Sequence, residues 1–196
     1  MRVARWPLSV VLTIAIAGGA LVSGCGSPAE PTAQPYPSCS DLAGRFANDV
    51  YSDWELGGYT NASASPKSSG VQYCNVSGNG RNARGHVTVY VYRPSAGDLR
   101  NRSFDDSIRD TALHNIFVGA CDGTPQTMTG GYTYALECSR VMGQGPSVEA
   151  TVAVANDRAL AAASVVATYQ DVSPDDARAN SRDQAVAAAK SVLAAL

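Results

Sequence analysis

Along residues 85–93, GHVTVYVYR, apolar and polar positions alternate: Val87, Val89 and Val91 share one side, and His86, Thr88, Tyr90 and Tyr92 share the other. A period of two is the mark of a strand buried on one face. The valines belong against a core, and the second face, aromatic and hydroxylated, is expected to be partly covered. PSVEATVAVA (146–155) repeats the alternation through Val148, Ala150, Val152 and Val154. ALAAASVVATY (159–169) is apolar almost throughout, which predicts a central strand covered on both faces, although alanine is a poor strand former. GVQYCNVS (70–77), IFVGAC (116–121) and YTYALECS (132–139) read as further strands. Turn signals stand at GNGRN (78–82), Gly130-Gly131 and Asn156-Asp157, and residues 59–69 read as loop.

Three segments carry the helical period instead. Leu42, Phe46 and Val50 recur every fourth residue after Ser40, predicting a helix that ends by Gly57-Gly58. A second helix is expected over 103–115, with Ser103 as cap, Asp106 three residues on, and Phe104, Ile108 and Ala112 on one face. The third starts at Ser173 with Pro174 and Asp175-Asp176 in its first turn, and Ala185, Ala189, Val192 and Leu196 form its stripe. Helix, two strands, helix, several strands and helix make an α+β domain: an antiparallel sheet with N-terminal, middle and C-terminal helices packed on it.

The N-terminus does not fit that domain. Arg2 and Arg5 precede an apolar stretch from Leu8 to Ala20, and small residues lead to Cys25. The stretch is too short for a membrane span and reads as a signal peptide over residues 1–24. The Val22-Ser23-Gly24-Cys25 junction resembles the lipobox of bacterial lipoproteins. That resemblance implies that Cys25 becomes the first mature residue and carries a diacylglycerol, with each buried CH₂ adding about 0.8 kcal/mol of anchoring. Pro28, Pro31, Pro35 and Pro37 make residues 25–37 an extended tether. At about 3 Å per residue it reaches on the order of 35–40 Å. Residues 38–196 are left for one extracytoplasmic domain, which sites the protein at the outer side of the cell membrane.

Composition narrows the partners. With 15 Lys and Arg against 17 Asp and Glu and no basic cluster, nucleic acid is not an expected partner. Once Cys25 is assigned, Cys39, Cys74, Cys121 and Cys138 form an even set, which implies two disulfides in an exported domain. Three pairings are open. Cys39–Cys74 with Cys121–Cys138 is the favoured one, pinning the first helix to the first strand and closing a local hairpin. Each bridge contributes roughly 2–4 kcal/mol. Their wide spacing does not suit a metal site.

Lipobox, proline-rich spacer, Cys39 before DLAGRF, Cys74 in VQYCNV and the terminal AVAAAKSVLAAL together resemble small actinobacterial lipoproteins of mycobacterial type. The architecture is similar to the PsbP-like and PknH-extracellular-like domains of the same envelopes. One departure is VSPDD before the last helix, which lacks the late cysteine of those relatives; Cys121 stands elsewhere instead.

No enzyme motif is found. His86 and His114 are the only two histidines, and Asp105-Asp106 and Asp175-Asp176 sit where carboxylates cap helices. No catalytic residue, metal ligand or cofactor is expected, and a hydrolytic enzyme is the least favoured class. The nine tyrosines against three phenylalanines are more suggestive. Tyr90 with Tyr92, and Tyr132 with Tyr134, each put two rings on one predicted sheet face, where an apolar body and a polar tip suit a ligand surface. The expected role is therefore a non-enzymatic, membrane-anchored lipoprotein whose domain binds a small-molecule or lipid ligand or an envelope protein. The alternative is an accessory subunit docked on another envelope protein.

Overall fold

A computed structural model describes residues 38, 40–41, 54–55, 65–66, 71–80, 83–143 and 147–196. The period-two segments form strands: β1 (Trp54–Glu55), β2 (Ser65–Pro66), β3 (Gln72–Gly80), β4 (Ala83–Tyr92), β5 (Gln126–Thr127), β6 (Tyr134–Met142), β7 (Ser147–Ala155) and β8 (Leu160–Tyr169). Helix α1 spans Phe104–Thr111 and passes into a π-turn, Ala112–Ile116; α2 spans Pro174–Leu193. All pairings are antiparallel, in the order β1-β3-β4-β8-β7-β6-β5, with β2 also on β3. The class is α+β, an antiparallel sheet carrying a middle and a C-terminal helix.

Strand β8 joins the two halves. It pairs with β4 over its whole length on one side and with β7 on the other. One face of the sheet bears Val87, Val89, Val91, Val148, Val152, Val165 and the odd-numbered alanines of β8, all buried with Ala177, Ala185, Ala188, Ala189 and Val192 of α2. Small side chains on both surfaces let helix and sheet approach closely, since axis spacing follows side-chain size. The Tyr169 and Ser181 hydroxyls share a hydrogen bond of 2.9 Å across this buried interface. At the sheet margin Arg182 of α2 holds Glu137 of β6 with two hydrogen bonds of 2.6 and 3.2 Å.

The other face is covered only in part. Helix α1 and the π-turn bring Ile108, Ala112 and Ile116 against Tyr92, Leu160, Ala155, Ala153 and Ala162. Both helices begin as the sequence predicts: Ser103 Oγ accepts from Asp106 N and Ser173 Oγ from Asp176 N, each at 3.1 Å. The Asn156 carboxamide closes the β7–β8 turn by accepting from Arg158 N and Ala159 N at 2.8 and 3.0 Å.

Four expectations need correction. IFVGAC is not a strand. Phe117 N donates to Ala112 O, five residues back, and Ala120 N to Phe117 O, so the helix runs on before turning at Gly119 with φ 72°. Burial of both Ile116 and Phe117 against the sheet outweighs the β-branched composition. GNGRN is not all turn, because β3 continues to Gly80 and β4 begins at Ala83, with Gly78 opposite Gly85. Within the segment expected to be helical up to Gly57-Gly58, Trp54 and Glu55 pair instead with Gly80 and Asn79 of β3. In the predicted loop, Ser65 and Pro66 pair with Tyr73 and Gln72. Ser40 and Asp41 are helical, and the rest of the expected N-terminal helix lies outside the described residues.

At Gly85 the sheet leaves no room for a side chain. A Cβ there would run into the Val166 carbonyl oxygen and lie 2.8 Å from Ala167 Cα, both backbone atoms of β8. Backbone cannot swing aside as a side chain can. Gly85→Ala is expected to destabilise the domain by about 1–3 kcal/mol. Urea denaturation of the two proteins checks this; a loss below about 0.5 kcal/mol, the scatter of neutral surface changes, contradicts it.

Candidate functional site

The register turns the α1-side face into a ladder of cross-strand rows. The row under α1 reads Tyr92, Leu160, Ala155, Tyr134 across β4, β8, β7 and β6. The next reads Tyr73, Tyr90, Ala162, Ala153, Leu136, starting from β3. Then come Asn75, Thr88, Ser164, Thr151, Cys138, and after them Ser77, His86, Val166, Glu149, Arg140. Polarity therefore rises along the strands away from α1. The apolar cluster under the helix reaches only the first two rows and Cys138.

The polar rows are tied together. Thr88 Oγ1 donates to Asn75 Oδ1 at 2.6 Å. Thr151 Oγ1 donates to Ser164 Oγ at 3.1 Å, and Ser164 Oγ donates to Glu149 Oε1 at 3.0 Å. Arg140 closes the chain, its Nε donating to Glu149 Oε2 at 2.7 Å and its Nη2 standing 2.6 Å from the same oxygen. The Glu149 side chain is 13% exposed, so this pairing is what makes a carboxylate tolerable on the sheet. Tyr73 and Tyr90 stack beside the network, tilted by 40° with ring centroids 6.5 Å apart.

The four singled-out tyrosines do not form one cluster. Tyr90, Tyr92 and Tyr134 lie on the α1 side. Tyr132 precedes β6 and packs with the α2-side core, its ring 5.8 Å from the Lys190 ammonium. The expectation that Tyr132 and Tyr134 share a face is corrected, because the chain enters the sheet only at Tyr134. Tyr92 is consumed by packing: it is buried and shares a 2.7 Å hydrogen bond with Ser107 of α1. Tyr90 stays half-buried beside the polar rows.

Cys121 and Cys138 are disulfide-bonded, Cα atoms 5.6 Å apart, tying the segment after the π-turn to β6. Cys74 is disulfide-bonded as well. Its partner, and with it the favoured Cys39–Cys74 pairing, lies outside the described residues, as do Cys25, the signal and the tether. Beside Cys121 and Cys138 opens a polar cleft of about 290 Å³ lined by Asp122, Gln126, Glu137 and Arg182. A second, of about 340 Å³, lies between the turn at 98–100 and α1, lined by Asp98, Asn101, Arg102, Asp110 and Asn115. The Arg102 hydrogen bond holds the Asp110 carboxyl below the usual range, and hydrogen bonds from the Ser95 backbone and side chain do the same for Asp98.

His86 is exposed, and His114 stands 2.8 Å from Asp110 on the helix surface. Asp106 and Asp176 serve as cap partners to Ser103 and Ser173. Among the described residues no three His, Cys, Asp or Glu side chains converge as a metal would require, and no helix is long and apolar enough to cross a membrane. The Glu149 network is not among the residues that motif and spacing single out, yet the sequence carries a signal for it: Glu149, Thr151 and Ser164, like Ser147 and Thr168 beyond them, are polar positions in two largely apolar strands, and they fall on one face. No protein-family model, curated protein or solved structure matches the chain.

Three phenols are shifted in one direction. Burial raises Tyr90, with the Glu149 charge and the Tyr73 phenol adding to it. Burial raises Tyr134 against an opposing pull from Arg109, and raises Tyr169 against the Ser181 hydrogen bond. A phenol raised in the folded state stabilises fully below the unfolded value and loses that contribution as pH climbs through the folded one. Stability is therefore expected to fall from about pH 10 upward, the unfolded tyrosine value. Thermal melts from neutral into alkaline pH check this; Tyr169→Phe should flatten the decline, and an unchanged slope in that variant contradicts the assignment.

Proposed function

We propose that the protein is a lipid-anchored envelope protein whose domain is a non-enzymatic binding module, and that the α1-side face of the sheet is its binding surface. The observation that carries this reading is the unequal treatment of the two faces. The α2 side is a closed core of valine and alanine. The α1 side grades from apolar under the helix to a hydrogen-bonded polar field ending in Arg140 and Glu149, with Tyr73 and Tyr90 half-buried between them. A surface with apolar, aromatic and paired polar zones matches a ligand that is itself amphipathic. The Val-Ser-Gly-Cys junction and the proline-rich tether support the anchor: lipid on Cys25 holds the domain near the bilayer, where such ligands concentrate.

Native mass spectrometry of the full-length protein, released gently from its own membrane, tests both halves. The expected spectrum shows a covalent lipid increment, lost together with palmitate-analogue labelling in Cys25→Ala. It also shows a second mass that survives mild activation and disappears on unfolding. A Cys25→Ala chain that still labels and stays on the membrane overturns the anchor. A wild-type chain carrying no second mass counts against the binding module.

A further inference from the structure

Two tyrosine hydroxyls on the sheet are matched to a helix serine, Tyr92 to Ser107 and Tyr169 to Ser181. A third is not. The Tyr134 hydroxyl is buried and has no hydrogen-bond partner among the described residues. A buried polar group without a partner is costly and is found where water, an ion or a ligand completes the site. Tyr134 belongs to the apolar cluster that also holds Phe104 and Ile108 of α1 and Leu136 of β6. Phe104 and Leu136 are only half-buried, so this edge of the cluster borders on solvent.

Arg109, in the last turn of α1, is exposed and forms no ion pair or hydrogen bond among the described residues, not even with Asp105 or Asp106 one turn earlier. Its charge is felt at the Tyr134 phenol, where it opposes the effect of burial. The phenol stays protonated at neutral pH and so offers an O–H. The guanidinium offers a fork of N–H groups. The two elements that meet here, α1 and β6, therefore each carry a donor that is matched to no acceptor among the described residues, and the side chains clustered with Tyr134 are hydrocarbon.

We propose that the α1–β6 seam binds an apolar carboxylic acid, its carboxylate accepting from the Tyr134 hydroxyl and the Arg109 guanidinium and its hydrocarbon lying along Phe104 and Leu136. A carboxylate supplies two acceptor oxygens, one for each donor, and forms charge-assisted hydrogen bonds with both. The site rests on the binding-module reading above and names the ligand class for the helix-covered end of the same face.

The test uses full-length protein in nanodiscs, with empty nanodiscs as reference, and 4-phenylbutyrate as the probe. Saturation-transfer NMR titrations compare it with 4-phenylbutanol, which keeps the hydrocarbon, and acetate, which keeps the charge. The butyrate is expected to bind at least tenfold more tightly than either. Tyr134→Phe and Arg109→Gln should each lose about tenfold, while Arg158→Gln, at the exposed β7–β8 turn, changes nothing. Tyr134→Phe should keep or raise the melting temperature, since it removes an unpartnered hydroxyl; this separates loss of binding from loss of fold. Equal binding of butyrate and butanol would overturn the carboxylate assignment and leave the binding-module reading standing. No binding of the butyrate, or binding that both variants retain, overturns the site itself, whereas the binding-module reading falls only on the native mass spectrum.

Discussion

The domain depends on one strand made of small side chains. Among the described residues the two sheet halves, β3–β4 and β6–β7, are joined in the sheet through β8, and β8 is buried on both faces along most of its length. Alanine disfavours extended structure on its own account. Here burial and two complete ladders of backbone hydrogen bonds outweigh that preference. The small side chains allow α2 to lie close on one face, where Ala161, Ala163 and Ala167 meet the alanines of the helix. At Gly85 it is the missing side chain of β4 that lets its backbone lie against the backbone of Val166 and Ala167 in β8, where no Cβ fits. Larger residues on the α2-side face of β8 would separate the helix from the sheet.

The two helices are held in different ways, and the difference bears on function. Helix α2 is fixed by matched small surfaces, the Tyr169–Ser181 hydrogen bond and the Arg182–Glu137 pair. Helix α1 is eight residues long, sits on the larger Tyr92 and Leu160, and is tethered by the Tyr92–Ser107 hydrogen bond and, beyond the π-turn, by the Cys121–Cys138 disulfide. A π-turn at that point lets the chain keep Ala112, Ile116 and Phe117 on the sheet before it leaves. Such irregular turns recur where structure serves binding as much as stability. The face under α1 also holds the unmatched Tyr134 hydroxyl and, further along, the polar rows. Stability is thus concentrated on the α2 side, and chemical variety on the α1 side.

Much of the fold is legible in the sequence because it rests on local pattern. Alternation places β4 and β7, continuous apolar character makes β8 central, and Ser103 and Ser173 mark both described helix starts. Pattern misleads where a tertiary contact overrules composition. Ile116 and Val118 look like strand residues, but the sheet beneath draws Ile116 and Phe117 into a continuing helix and leaves Val118 exposed. The candidate site is less legible. Sequence parity puts Tyr90 and Tyr92 on one face, but it does not show that β6 starts only at Tyr134 and so sends Tyr132 to the other side. The Glu149–Ser164–Thr151 network depends on the β7–β8 register, and the unmatched Tyr134 hydroxyl on which residues of α1 face it; neither is a property of spacing alone.

Native-state hydrogen exchange tests the central role of β8 most directly, because each amide reports the free energy of the opening that exposes it. The amides of Ala161 to Val165 should exchange only through global unfolding, with the highest protection in the domain. Those of α1 should exchange through a smaller opening of lower free energy that leaves the sheet intact. If the β8 amides exchange as readily as those of α1, the sheet does not hinge on β8, and the account of two unequally held faces fails with it.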